Sequence, residues 1–333
     1  MPDNIQVLID SIPEGRLKAE NYRVAYSSIP ELGPNEILVE THAIAITAGT
    51  RAGLQGSASY AGAPKAGVPM NSTGIGKVIE SNTAEFDLND MVTGPTGWQA
   101  YSKHKPQALT KIDPEYNPVD YLGPLGINGL TAYFGLFEVG QIKANETVMI
   151  SAAAGSVGHM VGQMAKIAGC SVIGVCGDGK KTEQLIGRLG FDAAVNYKGL
   201  SYRDELKAAT PNGVDIFFDN TGGSILGSAL RRLNVGGRVA CCGVVSQYDT
   251  NDPEPGPKGI PGLLINKRLT MKGFLVFDYI EKYAEARKKI SKWLISGELH
   301  HLTDEVIGLE NAPDAFVDLL SGGNIGTRII KLH

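Results

Sequence analysis

The chain has 333 residues, 43% of them hydrophobic, enough to bury a sizeable core and better suited to two domains than to one. Its formal net charge of -4 leaves no basic surplus of the kind that nucleic acid or an anionic membrane surface requires, so small molecules are the expected partners. No stretch approaches transmembrane length, the first ten residues lack the apolar run of a secretory signal, and the four cysteines, Cys170, Cys176, Cys241 and Cys242, form no C-x-x-C pair, which together point to a reducing cytoplasm.

In chain order, short β-branched runs at 37–46 and 74–79 are separated by Gly, Pro and Asn turns, so the first third reads as mostly β. Beyond Pro124 the texture changes to apolar strands alternating with amphipathic stretches. A strand at 147–151 leads into a helix over about 157–168, and further strands are expected at 171–176, 193–197, 214–218, 238–242 and 269–274. That alternation predicts an α/β fold whose six strands form a doubly wound parallel sheet. The Pro- and Gly-rich segment 252–261 is expected to be a mobile loop, and a helix over 279–294 stops at Gly297. The tail, with strand-like pieces at 306–307 and 328–332, resembles the first third. The first domain is therefore expected to be discontinuous, 1–124 with 300–333, around a second domain at 125–299.

The strand at 147–151 is followed by Ala153-Ala154-Gly155-Ser156-Val157-Gly158, an A-x-G-x-x-G turn at a strand-to-helix junction. In a dinucleotide site such glycines allow a tight turn and close approach of the pyrophosphate to the helix N-terminus. Ala153 replaces the first glycine, so the motif is imperfect, but the apolar strand before it and Met160, Val161, Met164 and Ala165 after it supply the required context. Two rivals fail on one residue each. Gly174 to Lys180 matches a phosphate loop until Lys181 stands where Ser or Thr should hold magnesium, and Ser156 lacks the first glycine of a nucleophile elbow. At the end of the strand 171–176 stands Cys176 rather than an acid, with Lys180 and Lys181 following, a pattern that favours NADPH over NADH. Asp178 opposes it, since its carboxylate can turn toward the ribose. The plain alternative for the two lysines is a solvated helix start.

None of the six histidines lies in H-E-x-x-H or beside a cysteine at ligand spacing, and the β-rich domain has no cysteine, so a catalytic zinc is not expected. The pair His300-His301 reads as exposed at a helix end. Without a metal, a carbonyl must be polarised by a hydrogen-bond donor, and Ser246 and Tyr248 follow the strand 238–242. A tyrosine there faces the ligand or serves as a core-and-rim residue, and spacing does not choose.

The strings G-L-T-A-Y-F-G-L at 129–136, S-A-A-A-G-S-V-G at 151–158, V-G-Q-M-A-K at 161–166, G-F-D-A-A-V-N-Y-K at 190–198, F-D-N-T-G-G at 218–223 and C-G-V-V-S-Q-Y at 242–248 resemble one family over nearly the whole chain. It is the zinc-independent medium-chain reductases of the leukotriene/prostaglandin reductase and curcumin reductase type. The resemblance implies a GroES-like β domain joined to a Rossmann domain, a homodimer, and NADPH-dependent reduction of the carbon–carbon double bond of α,β-unsaturated ketones and aldehydes. It implies that Lys181 and Tyr197 hold the 2′-phosphate, that Asn220 and Asn324 line the cofactor cleft, and that Phe274, Leu275 and Val276 meet the nicotinamide. By the same resemblance Asn128, Thr131, Ala154, Gly155, Ser156, Val157, Gly158, Gly177, Cys242, Gly243 and Ser246 belong to the cofactor site, and Tyr248 stands by the nicotinamide ribose and the substrate carbonyl.

This chain departs from the pattern in three places. Where the family commonly reads S-x-D-P-Y-x-R, it has Thr47-Ala48-Gly49-Thr50-Arg51, losing an aromatic wall of the substrate pocket. Asp178 replaces a small hydroxyl residue, and Thr327 a basic one, both against NADPH selectivity. Segments 56–69 and 252–261 are expected to shape the substrate pocket. The alternatives are a quinone reductase of the same superfamily and an NADPH-binding, redox-sensing protein without catalysis.

Overall fold

The computed structural model describes residues 3–56, 65–253 and 255–332, so most of the 56–69 segment lies outside the described residues. The chain divides into two compact units, Met1–Gly123 with Thr303–His333, and Pro124–Leu302. Pro124 and the stretch 300–302 group with the second unit.

In the first unit, β1 (Asn4–Ile9) and β2 (Tyr22–Ser27) pair antiparallel in a small sheet of their own. Strands β3 (Ile37–Ile46), β4 (Gly74–Ser81), β5 (Met91–Gly94), β6 (Tyr101–His104) and β7 (Thr110–Lys111) build the larger one, with the short helix α1 (Gly49–Leu54) between β3 and β4. β3 is long because Ile37, Val39, Ile44 and Ile46 are all buried and it pairs with both β4 and β6. Helix α1 overlaps the departure at 47–51, inside the third of the chain that reads as mostly β. Its Arg51 is fully buried and its guanidinium donates to the Gly15 carbonyl.

In the second unit, β8 (Thr147–Ser151), β9 (Ser171–Cys176), β10 (Ala193–Asn196), β11 (Val214–Asp219), β12 (Leu233–Cys241) and β13 (Thr270–Gly273) form one parallel sheet in the order β10-β9-β8-β11-β12-β13. Helices α2 (Ile127–Phe134), α3 (Ser156–Ile167), α4 (Gly179–Gly187), α5 (Tyr202–Ala209), α6 (Gly223–Arg232), α7 (Ile260–Lys267) and α8 (Tyr283–Ile295) accompany it. Val148, Met149, Ile150, Ile216, Phe217 and Phe218 have no exposed surface, as strands covered on both faces require. This is the doubly wound Rossmann arrangement. Several boundaries differ from expectation, among them the start of β12 at Leu233 rather than 238. The 252–261 loop ends early, because Ile260 and Pro261 already open α7, proline being favoured in a first helical turn. Helix α8 starts at Tyr283 rather than 279, since Tyr279 has non-helical φ -119 and ψ 18 in the 3-10 stretch Val276–Lys282.

The chain then returns to the first unit as β14 (Thr303–Ile307), helix α9 (Ala312–Leu320) and β15 (Thr327–Lys331), giving the sheet order β14-β15-β3-β4-β5-β7 with β6 beside β3. Its core joins residues from both stretches of sequence. Trp98 packs against the tilted ring of Tyr22 at 5.1 Å and meets Phe316 of α9 edge-on at 6.1 Å. Burying each such ring contributes about 2–3 kcal/mol, which fixes the tail on the sheet.

Candidate functional site: a dinucleotide cleft in the second unit

The order of the parallel sheet reverses between β8 and β11, and ligands of such sheets bind beyond the carboxyl ends of the strands at that point. Beyond β8 the chain turns sharply: Ala152 takes the left-handed φ 48, and the Gly155 N–H donates to its carbonyl at 2.9 Å. Gly155 is the N-cap of α3 and, having no side chain, leaves the approach to the helix's first N–H groups open to an anion. A Cβ on Gly158 would run into the Ala152 carbonyl oxygen, so this glycine lets the helix start directly against the turn. Ala153 is tolerated at the first position because Gly174 faces it: a Cβ there would stand 3.1 Å from the Ala153 methyl. Asn128 of α2 reaches across to donate from Nδ2 to the Ser156 hydroxyl at 2.9 Å, whereas Thr131 turns its hydroxyl back to the Ile127 carbonyl of its own helix at 2.7 Å.

The opposite wall is a polar knot at the end of β11. The Asp219 carboxylate, 2% exposed, accepts from the Ser151 hydroxyl at 3.0 Å and from the N–H groups of Thr221 and Gly222 at 3.0 and 2.9 Å. Asn220 donates its side-chain amide to the Ser151 carbonyl and its N–H to the Ser151 hydroxyl, both at 2.8 Å. Gly222, with φ 68 and ψ -148, holds a conformation essentially reserved for glycine. Cys242 and Gly243 hang on the Asp219 carbonyl through their N–H groups, and the Ser246 hydroxyl donates to the Thr221 carbonyl at 2.6 Å. Ser151 and Asp219 are the residues that sequence reasoning missed. The only signal for them was an acid and a hydroxyl, each at the last position of an apolar strand.

Tyr248 sits just beyond the 3-10 turn Val245–Gln247, half-buried, its phenol oxygen accepting from the Val244 N–H at 3.3 Å. Burial pushes the neighbouring thiols up, Cys241 to about 11 and Cys242 to about 12, with the Asp219 carboxylate adding to both, so neither is a ready nucleophile. Phe274 packs edge-on against Phe218 at 6.4 Å, and both rings crowd Gly135, where a Cβ would lie 2.5 Å from each. Val276 is buried, and Leu275 is exposed with its N–H donating to Asp278.

At the end of β9, Asp178 is the N-cap of α4, its Oδ1 accepting the Lys181 N–H at 2.9 Å. Lys180 is exposed, as a solvated helix start would be, but Lys181 is buried and its ammonium lies 3.9 Å from Asp178. Tyr197 and Lys198 converge on Gly177, where a Cβ would come within 3.4 Å of both side chains. Lys198, 5.8 Å from the Tyr197 ring centre, is a further cation that spacing did not single out. Asn324 and Thr327 belong to the first unit: Asn324 is buried with its amide on the Gly326 carbonyl, and Thr327 is fully buried at the start of β15. His301 is half-buried, stacked on His159 at 6.2 Å, so only His300 is the exposed member of that pair.

Residues 156–292 match the family described as zinc-binding dehydrogenase, and residues 6–112 match the N-terminal domain of oxidoreductase. The NADPH-dependent curcumin reductase of Escherichia coli is 33% identical over 334 residues, covering 99% of this chain and 97% of that protein. The NADP(+)-dependent 2-alkenal reductase of Nicotiana tabacum is 38% identical over 339 residues, again 99% and 97% of the two chains. The chain belongs to the medium-chain dehydrogenase/reductase family. The fold of this family member superimposes on CurA of Vibrio vulnificus, solved in complex with NADPH, with a TM-score of 0.94 at 34% identity and 99% coverage of both chains. NADPH fits the residues present, with an open helix start, a glycine cradle and a buried lysine at the end of the second strand. Zinc does not: every cysteine lies in the second unit, and among the described residues no three His, Cys, Asp or Glu side chains gather as a metal site.

Proposed function

We propose that the protein is an NADPH-dependent reductase of the carbon–carbon double bond of α,β-unsaturated ketones and aldehydes, working without a metal. The observation that carries this reading is near full-length similarity to the E. coli curcumin reductase and the tobacco 2-alkenal reductase in a chain whose α3 turn is built for a dinucleotide. NADPH, when bound, supplies the hydride that ends on the β-carbon. The chain's own residues hold the cofactor and stabilise the charge that develops on the substrate. The first turn of α3 takes the pyrophosphate, and Lys181 with Tyr197 takes the 2′-phosphate. Asn220 and the segment Phe274 to Val276 are assigned to the nicotinamide half. As the β-carbon is reduced, negative charge builds on the carbonyl oxygen. The Tyr248 phenol, whose oxygen accepts from the Val244 N–H, is the proposed donor to that carbonyl oxygen. Water delivers the proton to the α-carbon.

Incubating the purified protein with NADPH and, separately, an enal, an enone and a quinone tests the reading. The expected result is NADPH oxidation with enals and enones, with deuterium from labelled cofactor appearing on the β-carbon. Oxidation with the quinone alone would make it a quinone reductase, and none at all would reduce it to a cofactor-binding protein.

The reading extends to a cytoplasmic homodimer. The four cysteines are free, and no helix among the described residues is long and apolar enough to cross a membrane. Strand β13 is an edge of the parallel sheet, and the segments before and after it in the chain expose Ile265, Phe277 and Ile280 at 74%, 47% and 61%, apolar side chains that a second copy would cover. Light scattering is expected to give twice the 35.3 kDa chain mass, and a monomer would withdraw the dimer.

A further inference from the structure

We infer that Asp178 is a specificity-determining residue, which holds the preference for NADPH over NADH below the level that the surrounding lysines alone would set. The inference rests on the proposed NADPH site. The carboxyl end of β9 is where a doubly wound sheet meets the adenosine ribose, and three charges gather there. Lys181 is 8% exposed, so its ammonium can serve only a narrow approach. Asp178 stands at that approach, its side chain about half exposed, with Oδ2 3.9 Å from the ammonium and Oδ1 fixed by the Lys181 N–H at 2.9 Å. Both oxygens thus face the same residue, and the cap holds the carboxylate in place rather than letting it swing to the ribose hydroxyls. Lys198 lies beside Gly177 and Tyr197.

A 2′-phosphate carries nearly two negative charges. To pair with Lys181 it must come within a few ångströms of the Asp178 carboxylate and share the same ammonium. The pair is half-sunk, where screening by salt is weaker than on open surface. A cofactor with a 2′-hydroxyl pays no such penalty. NADPH is therefore held because Lys181 and Lys198 outnumber one carboxylate, and NADH remains an accessible cofactor.

The test is Asp178→Asn in the full chain, because Asn caps a helix about as well as Asp and only the charge is lost. Titration of nicotinamide fluorescence with NADPH and with NADH, in the absence of any substrate, should show the NADPH-to-NADH affinity ratio rising by about tenfold. That gain should shrink as salt is raised from about 0.02 M to about 0.5 M. Asp178→Ala, which loses cap and charge together, should raise the ratio similarly while lowering the melting temperature. An unchanged or lower ratio in Asp178→Asn overturns the inference, and so does a rise that comes from lost NADH affinity rather than gained NADPH affinity, which would mean that the carboxylate binds the ribose. Adenosine 2′,5′-bisphosphate separates the two levels of the argument. If it fails to compete with NADPH on the unaltered protein, the phosphate site and the role of Asp178 fall together; if it competes while the ratio stays fixed, only the role of Asp178 falls.

Discussion

Tyr248 carries the heaviest chemical assignment on a single hydroxyl, and its position bears on how that assignment fails. The phenol oxygen rests on the Val244 N–H of its own turn, so Tyr248→Phe removes the donor while the ring keeps its packing. Turnover with an enone is expected to drop on the order of 10²–10³-fold, as for loss of one oxyanion donor, with NADPH affinity changing far less. Steady-state kinetics against a direct cofactor titration checks this, and unchanged turnover and affinity would remove Tyr248 from the mechanism. Lys181→Met deletes a buried charge facing the proposed phosphate, so NADPH binding should weaken by roughly 10- to 100-fold, the worth of a charge-assisted hydrogen bond, and by more than NADH binding does. Lys181, Ser246 and Tyr248 could be singled out from the sequence because they follow strand ends, although spacing left their roles open and only the family resemblance assigned them. Ser151 and Asp219 could not: their bond joins positions 68 residues apart, and nothing local in either strand announces it.

At the scale of elements, α3 shows how tightly the cofactor turn is built into the sheet. Met160, Val161, Met164 and Ala165 have no exposed surface, and Gly162 lies so close to the Phe191 ring that a methyl there would overlap it. Gly162→Ala should therefore destabilise the protein by about 1–3 kcal/mol through overpacking, even though alanine is the better helix former. Urea unfolding measures this, and a stabilised variant would show that the ring moves aside freely. The strands of the parallel sheet were legible because residues buried on both faces leave continuous apolar runs. Helix starts were harder. The 279–294 pattern carries helical periodicity, yet its first residues take a 3-10 path, and Ile260 opens a helix inside a stretch whose Pro and Gly content suggests a loop. In both cases contacts made by neighbouring elements decide between local conformations of similar energy.

For the molecule as a whole, pH is expected to act through His159. The imidazole is fully buried, with Nδ1 on the Gly155 carbonyl at 2.9 Å and Nε2 3.3 Å from the Leu302 N–H. Burial lowers its pKa to about 4, with His301 adding to the effect. Between that value and the ordinary 6.5 the unfolded chain binds a proton that the folded chain refuses, so stability is complete above about pH 6.5 and falls as pH drops toward 4. The total is roughly 3 kcal/mol. Urea unfolding at pH 7 and pH 5 should show this slope, and His159→Leu should flatten it while being less stable at pH 7; an equal slope in both proteins would assign it to other groups. The sequence by itself determined the alternation of strands and helices, the dinucleotide turn, and the lack of cysteine in the β-rich part, because these depend on periodicity and on which atoms are present. Only the tertiary structure decided that Lys181 is buried, that Asp178 caps a helix, and that His159 stays neutral. Burial, capping and proton affinity are set by neighbours in space, and those come from distant parts of the chain.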